Sequence, residues 1–454
     1  MAGIVPAYTF RPPFPANLPV LTAPLSAPVV ALVFALAVLV TTSLRLWLLT
    51  RQVRHVARHR DAVPADFAGQ VTLEAHQKAA DYTLAKARLG AVSLMVSTVL
   101  LIGWTLMGGL EALNQWVNAQ VAADTWGGYA RPLVLVGAFA FIGMLLDLPL
   151  EWIGTFRVEA AHGFNRTTPG LFWADWVKGI GVGLLLGGPL LWAVLALMKG
   201  AGAQWWLWAW ALWIGFQLLV MLLYPLVIAP LFNRFEPLKD EGLAARVKAL
   251  FARAGFQASG LFVMDGSRRS SHGNAYFTGL GASKRVVLFD TLMQRLAPDE
   301  IEAVLAHELG HFKCRHIPKR LALFAVVSLL GFALLGWLAQ QPGFYTGLGV
   351  RPNLDGGNEA LALLLFLMAV PVLAYPLGPW MSAGSRKHEF EADAYACQHS
   401  DGKALARALL KLHEDNASTL TPDPLVVRWT YSHPPAVERL AAIRAQTPAT
   451  PQAA

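Results

Sequence analysis

Seven apolar runs decide what this chain can fold into. They fall near residues 27–49, 90–112, 132–153, 173–198, 205–232, 320–340 and 360–381. Each is near or above the roughly 20 residues that carry a helix across the hydrocarbon core of a bilayer. Backbone groups in lipid must be satisfied within the segment, so the expected fold class is an α-helical multi-pass membrane protein with about seven transmembrane helices. Two runs are irregular. Gly187-Gly188-Pro189 interrupts the fourth, and the fifth is unusually long. Composition agrees: 55% of the 454 residues are hydrophobic and 15% charged, too apolar for an ordinary soluble chain. The 16 Trp suit membrane interfaces. Residues 1–26 are Pro-rich with a single Arg11, which lacks the basic region of a signal peptide.

The loops give an orientation. Residues 51–89 carry Arg51, Arg54, Arg58, Arg60, Lys78, Lys86 and Arg88, while the next loop, 113–131, has only Arg131. The alternation continues: Arg157 and Arg166 in the third loop, Lys199 alone in the fourth, Arg351 alone in the sixth. The positive-inside rule places the basic loops in the cytoplasm, the N-terminus outside, and both loop 233–319 and the C-terminal part inside. The net charge of +8 is explained by these loops, and no nucleic-acid partner is expected. Two Cys, Cys314 and Cys397, imply neither a disulfide framework nor a Cys-rich metal site. The balance of Ala, Leu, Arg and Trp over Lys suggests a bacterial inner membrane.

Within loop 233–319 stands His307-Glu308-Leu309-Gly310-His311, an H-E-x-x-H sequence. On a helix, positions i and i+4 share a face, so His307 and His311 can present two imidazoles to one metal ion. Glu308 beside them can take a proton from a water on that ion. Ala297-Pro298-Asp299-Glu300 is a helix-start signal, and Ile301, Val304, Leu305, Leu309 and Phe312 follow as an apolar stripe.

A third ligand must come from the same side of the membrane. In Ser385-Arg386-Lys387-His388-Glu389-Phe390-Glu391-Ala392-Asp393, read as the start of an amphipathic helix, Glu389 and Asp393 are also i, i+4. That spacing lets Glu389 bind zinc while Asp393 accepts a hydrogen bond from a ligand histidine. Two His and one Glu form the three-ligand, open site of catalytic zinc, with one Zn²⁺ expected. Glu391 points elsewhere on the helix and is read as surface, and His316 as surface or a neighbour of the ligands. A metzincin would need Gly and His where Cys314 and Ile317 stand. Leu354-Asp355-Gly356-Gly357 resembles an intramembrane-protease motif but falls on the far side and reads as a turn.

Two more stretches bear on the site. Ser271-His272-Gly273-Asn274-Ala275-Tyr276-Phe277, with 261–264 and 285–290, looks like short strands punctuated by Gly. Asn274 to Phe277 is either an edge strand that holds substrate as an added strand or an ordinary hairpin. In Tyr431-Ser432-His433-Pro434-Pro435, His433 could donate to an oxyanion, or the segment is simply a turn before a helix.

HELGH, SRKHEFEADAYA, SHGNAYFTG and YSHPPAVERL, in this order with seven spans, resemble the integral-membrane CAAX prenyl protease family of zinc metalloendopeptidases. The resemblance covers nearly the whole chain. It implies a small, mainly helical gluzincin domain with a short β-sheet, set on a seven-helix barrel around a water-filled chamber. It further implies His307, His311 and Glu389 as ligands, Glu308 as base, Asp393 and Arg439 behind the ligands, His433 assisting at the transition state, and Asn274, Ala275, Tyr276 and His272 at the substrate backbone. The parts would be a segment 1–26, transmembrane helices over 27–232, a protease core over 233–319, two more helices over 320–381, a second catalytic part over 382–444, and a disordered tail over 445–454. The expected partners are the lipid bilayer and a peptide or protein substrate. That substrate is either prenylated or a membrane-associated peptide cleared for quality control. A shorter stress-response membrane protease would have fewer spans. A silent scaffold or transporter would not need Glu308 beside the ligands.

Overall fold

The computed structural model describes residues 24–279, 284–354 and 356–446. Most of segment 1–26 and of tail 445–454, and Asp355 of the Leu-Asp-Gly stretch, lie outside the described residues. Among the described residues, seven helices are long and apolar enough to cross a membrane. The first two are α1 (Ala27–Arg58) and α2 (Leu73–Trp104). At 32 residues each they measure about 48 Å, well beyond a hydrocarbon core of about 30 Å. The excess is the basic end of α1 and the polar first half of α2, which stand clear of the apolar zone as a helical pair. Thr72 caps α2 by accepting from the amide of Ala75.

The second span therefore differs from the expected 90–112. The helix ends at Trp104, and the chain breaks over 105–108 before the short α3 (Gly109–Gln120). The break is tight: a Cβ on Gly349 would meet the Thr105 carbonyl, and Gly108 has φ +78°. Next come α4 (Ala130–Ile153), extended by a π-helical stretch to Glu159, and α5 (Pro169–Gly200). Gly187-Gly188-Pro189 does not interrupt α5, which runs through Pro189. A transmembrane helix tolerates such a residue because its neighbours adjust to the freed carbonyl. The long fifth run is α6 (Trp205–Leu223), then a π-helical turn at Tyr224–Ile228 that contains Pro225, then α7 (Ala229–Phe232).

The non-membrane unit follows. It holds β1 (Phe235–Pro237), α8 (Glu241–Arg253), β2 (Gly260–Met264), β3 (Ala275–Thr278), β4 (Arg285–Phe289), α9 (Asp290–Arg295) and α10 (Pro298–Lys313). The four strands are ordered β1-β2-β4-β3, with β2 and β4 parallel and the outer pairings antiparallel. β3 is thus an edge. After α10 come α11 (His316–Leu338), α12 (Pro342–Gly347), α13 (Glu359–Ala374), α14 (Gly378–His399), α15 (Gly402–Asp415), α16 (Pro424–Thr430) and α17 (Ala436–Gln446). Here the boundary differs again from expectation. The helix carrying Glu389 does not begin after the seventh span but continues it, across the single turn Tyr375–Leu377.

Two cores result. One, around Trp205, Met198, Leu195, Tyr345 and Leu365, binds the spans together. The other, around Val247, Leu288, Leu305, Leu309, Leu405 and Ala408, joins sheet, α8, α10 and α15. Leu184, Leu185, Val99 and Leu330 stay exposed on the spans, an outward apolar face fitted to lipid.

Candidate active site

Helix α10 starts as its sequence requires. Pro298 occupies the first turn, and the Glu300 carboxylate reaches back to the Ala297 amide at 2.8 Å. Glu300 is itself buried and is neutralised by Lys411 at 2.7 Å. The apolar stripe of α10 packs into the second core, which turns the His307–His311 face towards α14.

There the ligand atoms converge. His307 Nε2 lies 3.4 Å from Glu389 Oε2, and His311 Nε2 lies 3.4 Å from Glu389 Oε1. One atom from each residue falls within 4.8 Å of the others. A tetrahedral zinc with bonds of about 2.05 Å has ligand atoms about 3.3 Å apart, so the spacing suits such an ion. Glu389 Oε2 is buried and receives no hydrogen bond, a position that a cation would satisfy. The polypeptide alone splits the imidazoles. Burial depresses His307, but Asp393 and Glu389 outweigh it and hold the ring up at about 9. Burial and the charge of His307 push His311 down to about 3. His311 is thus a ready lone-pair donor, and His307 would become one by losing a proton to solvent as a metal bound.

Behind His307 lies an ordered arm. Its Nδ1–H donates to Asp393 Oδ1 at 2.8 Å. Arg439 of α17 grips the same carboxylate with two bonds, Nε to Oδ2 at 2.8 Å and Nη2 to Oδ1 at 2.6 Å. Asp393 is fully buried, so this fork keeps the charge compensated.

Glu308 faces a cavity of about 570 Å³ that is also lined by Asn274, Ala275, His307, His311, Glu389 and His433. A second cavity, about 1060 Å³, also meets Glu308, His311, Glu389 and His433, with Phe277, Thr278 and Arg320 in its wall. Edge strand β3 therefore runs from one cavity to the other. Burial raises the Glu308 carboxyl above its ordinary range. His433 Nε2 stands 3.5 Å from Glu389 Oε1, on a turn pinned by Arg386, which donates to the Val427 and Tyr431 carbonyls at 2.9 Å each.

Not every expected residue reaches the cavities. Tyr276 alternates away from Ala275, with its hydroxyl 4.0 Å from Met264 Sδ. His272 stacks on Phe164 and hydrogen-bonds Asn416. Three features went unread in the sequence. Gly310 lies where α10 touches α14, Glu391 bonds His316 (which takes the neighbour-of-the-ligands place, of the two readings left open for it), and Arg51 of α1 holds Asp423 at the start of α16.

Family models match almost end to end. Residues 52–234 match the CAAX prenyl protease N-terminal region, five membrane helices, and residues 237–447 match peptidase family M48. The CAAX prenyl protease 1 homolog of Oryza sativa is 33% identical over 401 residues, covering 86% of this chain and 92% of the relative. CAAX prenyl protease 1 of Saccharomyces cerevisiae is 36% identical, covering 69% and 72%. The crystal structure of S. mikatae Ste24p superposes with a TM-score of 0.85 at 31% identity, over 91% of this chain and 99% of that one. The two family models together cover residues 52–447, and the chain belongs to the M48 metallopeptidases of the CAAX prenyl protease type.

Proposed function

We propose that this chain is a one-zinc endopeptidase, with His307, His311 and Glu389 as the ligands. The observation that carries this reading is the pair of 3.4 Å separations from the two imidazoles to the Glu389 carboxylate, one oxygen of which, Oε2, is buried and unbonded. When bound, zinc supplies Lewis acidity to a water and to a peptide carbonyl. The rest belongs to the chain. Glu308, held partly towards its protonated form by burial, accepts a proton from the attacking water and returns it to the leaving amine. His433 Nε2, at the cavity rim, donates to the developing oxyanion. Asp393 and Arg439 fix the His307 ring. A peptide laid along β3 would pair with the free edge between Asn274 and Thr278 and so pass from one cavity to the other across the ligands.

The substrates would be C-terminal segments of prenylated proteins, as the names of the relatives suggest, or short membrane-associated peptides. The orientation we propose is cytoplasmic for the site and outside for the N-terminus, supported by Arg51, Arg54 and Arg58 at the end of α1 and Arg60 just after it. A bacterial inner membrane rests on composition alone, since the relatives above are eukaryotic.

The test pairs metal content with cleavage of farnesylated and plain peptides, for wild type and Glu308→Ala in detergent. About one zinc in both proteins, with cleavage by wild type alone, is expected. Wild type prepared without chelator and lacking zinc would overturn the proposal.

A further inference from the structure

His307 has a carboxylate behind it; His311 has a second imidazole. The chain leaves α10 at Cys314, and Arg315 adopts a left-handed φ of +57°, unusual for a residue with a side chain. That turn brings His316, the first residue of α11, back against His311. The two Nδ1 atoms lie 2.9 Å apart. His316 Nε2 then reaches Glu391 Oε2 on α14 at 2.8 Å. His316 is 1% exposed and is stacked on His388 with ring centroids 4.0 Å apart. It cannot swing into water without unpacking this corner.

Counting protons fixes the direction of the chain. A neutral imidazole carries one N–H. His311 turns Nε2 towards Glu389, and a ligand nitrogen must present a lone pair. Its proton is then on Nδ1 and is donated to His316 Nδ1. The proton of His316 is therefore on Nε2 and is donated to the Glu391 carboxylate, which only accepts. The opposite order would place a proton on His311 Nε2 and block the metal.

Resting on the zinc reading above, we propose that His316 and Glu391 are positioning residues that hold His311 in its metal-competent tautomer. The metal site then has two arms ending in carboxylates: Asp393 directly behind His307, and Glu391 behind His311 through one intervening ring. The donor atoms of Cys314, His316 and Glu391 also lie within 4.8 Å of one another, so a metal held by these three is the rival use of the cluster.

Zinc stoichiometry and affinity, measured by chelator competition on the full-length protein in detergent, separate these readings. The visible spectrum of the cobalt-substituted protein reports ligand geometry, and thermal melts confirm folding. Glu391→Leu and His316→Phe should each weaken zinc binding about 10- to 100-fold, the usual cost of losing a partner behind a ligand. His316→Gln can accept from His311 and donate to Glu391, so it should restore affinity to within about threefold and return the cobalt spectrum to that of wild type. Wild-type affinity in folded Glu391→Leu and His316→Phe overturns the proposal. So does a His316→Gln variant as weak as His316→Phe, which would mean packing rather than hydrogen bonding. Two zincs in wild type, with only one lost in Glu391→Leu, would assign the cluster to a metal of its own and also overturn it. Wild type with no zinc removes the catalytic reading and this one together, a result visible before any variant is made.

Discussion

Gly310→Ala is the most informative small change in this molecule. Gly310 lies between Leu309 and His311, where α10 crosses α14. A Cβ built there would sit 2.9 Å from Ala392 Cα, 3.0 Å from the Ala392 carbonyl oxygen and 3.1 Å from Tyr395 Cβ. Comfortable carbon contacts need about 3.5–4.0 Å. The obstacles are backbone atoms and a Cβ, which cannot rotate aside, so the helices must part by roughly 0.5–1 Å. Stability suffers modestly. Overpacking costs about 1–3 kcal/mol, offset by about 1 kcal/mol from the better helix propensity of Ala, for a net loss of about 0–2 kcal/mol. The proposed metal site has no such reserve. His307 and His311 ride on α10 and Glu389 on α14, and ligand distances tolerate only about 0.2 Å. The expected outcome is a folded protein whose zinc affinity falls at least about tenfold, or about 1.4 kcal/mol. Chelator competition reads the affinity and a thermal melt the fold. Gly331→Ala in α11 is the control, because its Cβ would meet only Phe366 Cζ at 3.9 Å. Wild-type zinc affinity in a folded Gly310→Ala protein would refute the reasoning.

Other perturbations give further tests. Arg439→Leu leaves the fully buried Asp393 without its fork and should cost about 3–5 kcal/mol in thermal or denaturant unfolding; an unchanged midpoint would contradict the pairing. Asp423 caps α16 through the Leu425 and Val426 amides and binds Arg51 at 2.9 Å. Burial disfavours its charge, but Arg51 and those amides outweigh it and hold the carboxyl below its ordinary value. Its contribution is therefore complete above about pH 4 and is lost as pH falls through the depressed folded value. Asp423→Asn should be less stable than wild type at neutral pH, and the gap should close in acid; a constant gap across that window would count against the capping role. Stripping the metal with a chelator should abolish cleavage and lower the melting temperature. Zinc at about a thousand times its dissociation constant stabilises by about 4 kcal/mol, and a melt indifferent to zinc would deny that the site is built only on folding.

Much of this was legible because periodicity and spacing are local. Apolar run length located the spans, and i, i+4 pairs located two faces, His307 with His311 and Glu389 with Asp393. Gly punctuation located the strands. The unread parts depend on where distant elements meet. Glu391 reads as surface because it sits off the Glu389 face of α14, yet the left-handed joint at Arg315 delivers His316 to it. Arg51 and Asp423 are 372 positions apart, and no local pattern joins them. Helix ends were misplaced where polar residues prolong a helix beyond the membrane, as in α1 and α2, or where a single turn links a span to a polar helix, as between α13 and α14.

That last link gives the molecule a mechanical property. The two proposed His ligands sit at the end of a helix joined by two residues to the sixth span, and the proposed Glu ligand on a helix joined by one turn to the seventh. From the joint at Leu377 to Glu389 the helix rises about 18 Å. A rocking of about 5° at that joint carries the carboxylate roughly 1.5 Å, several times the tolerance of a metal ligand. Spans tilt when the thickness of the surrounding bilayer changes. The proposed ligand set thus sits on the short ends of two helices whose continuations are the sixth and seventh spans, so a tilt of either span would be felt first at the ligand atoms.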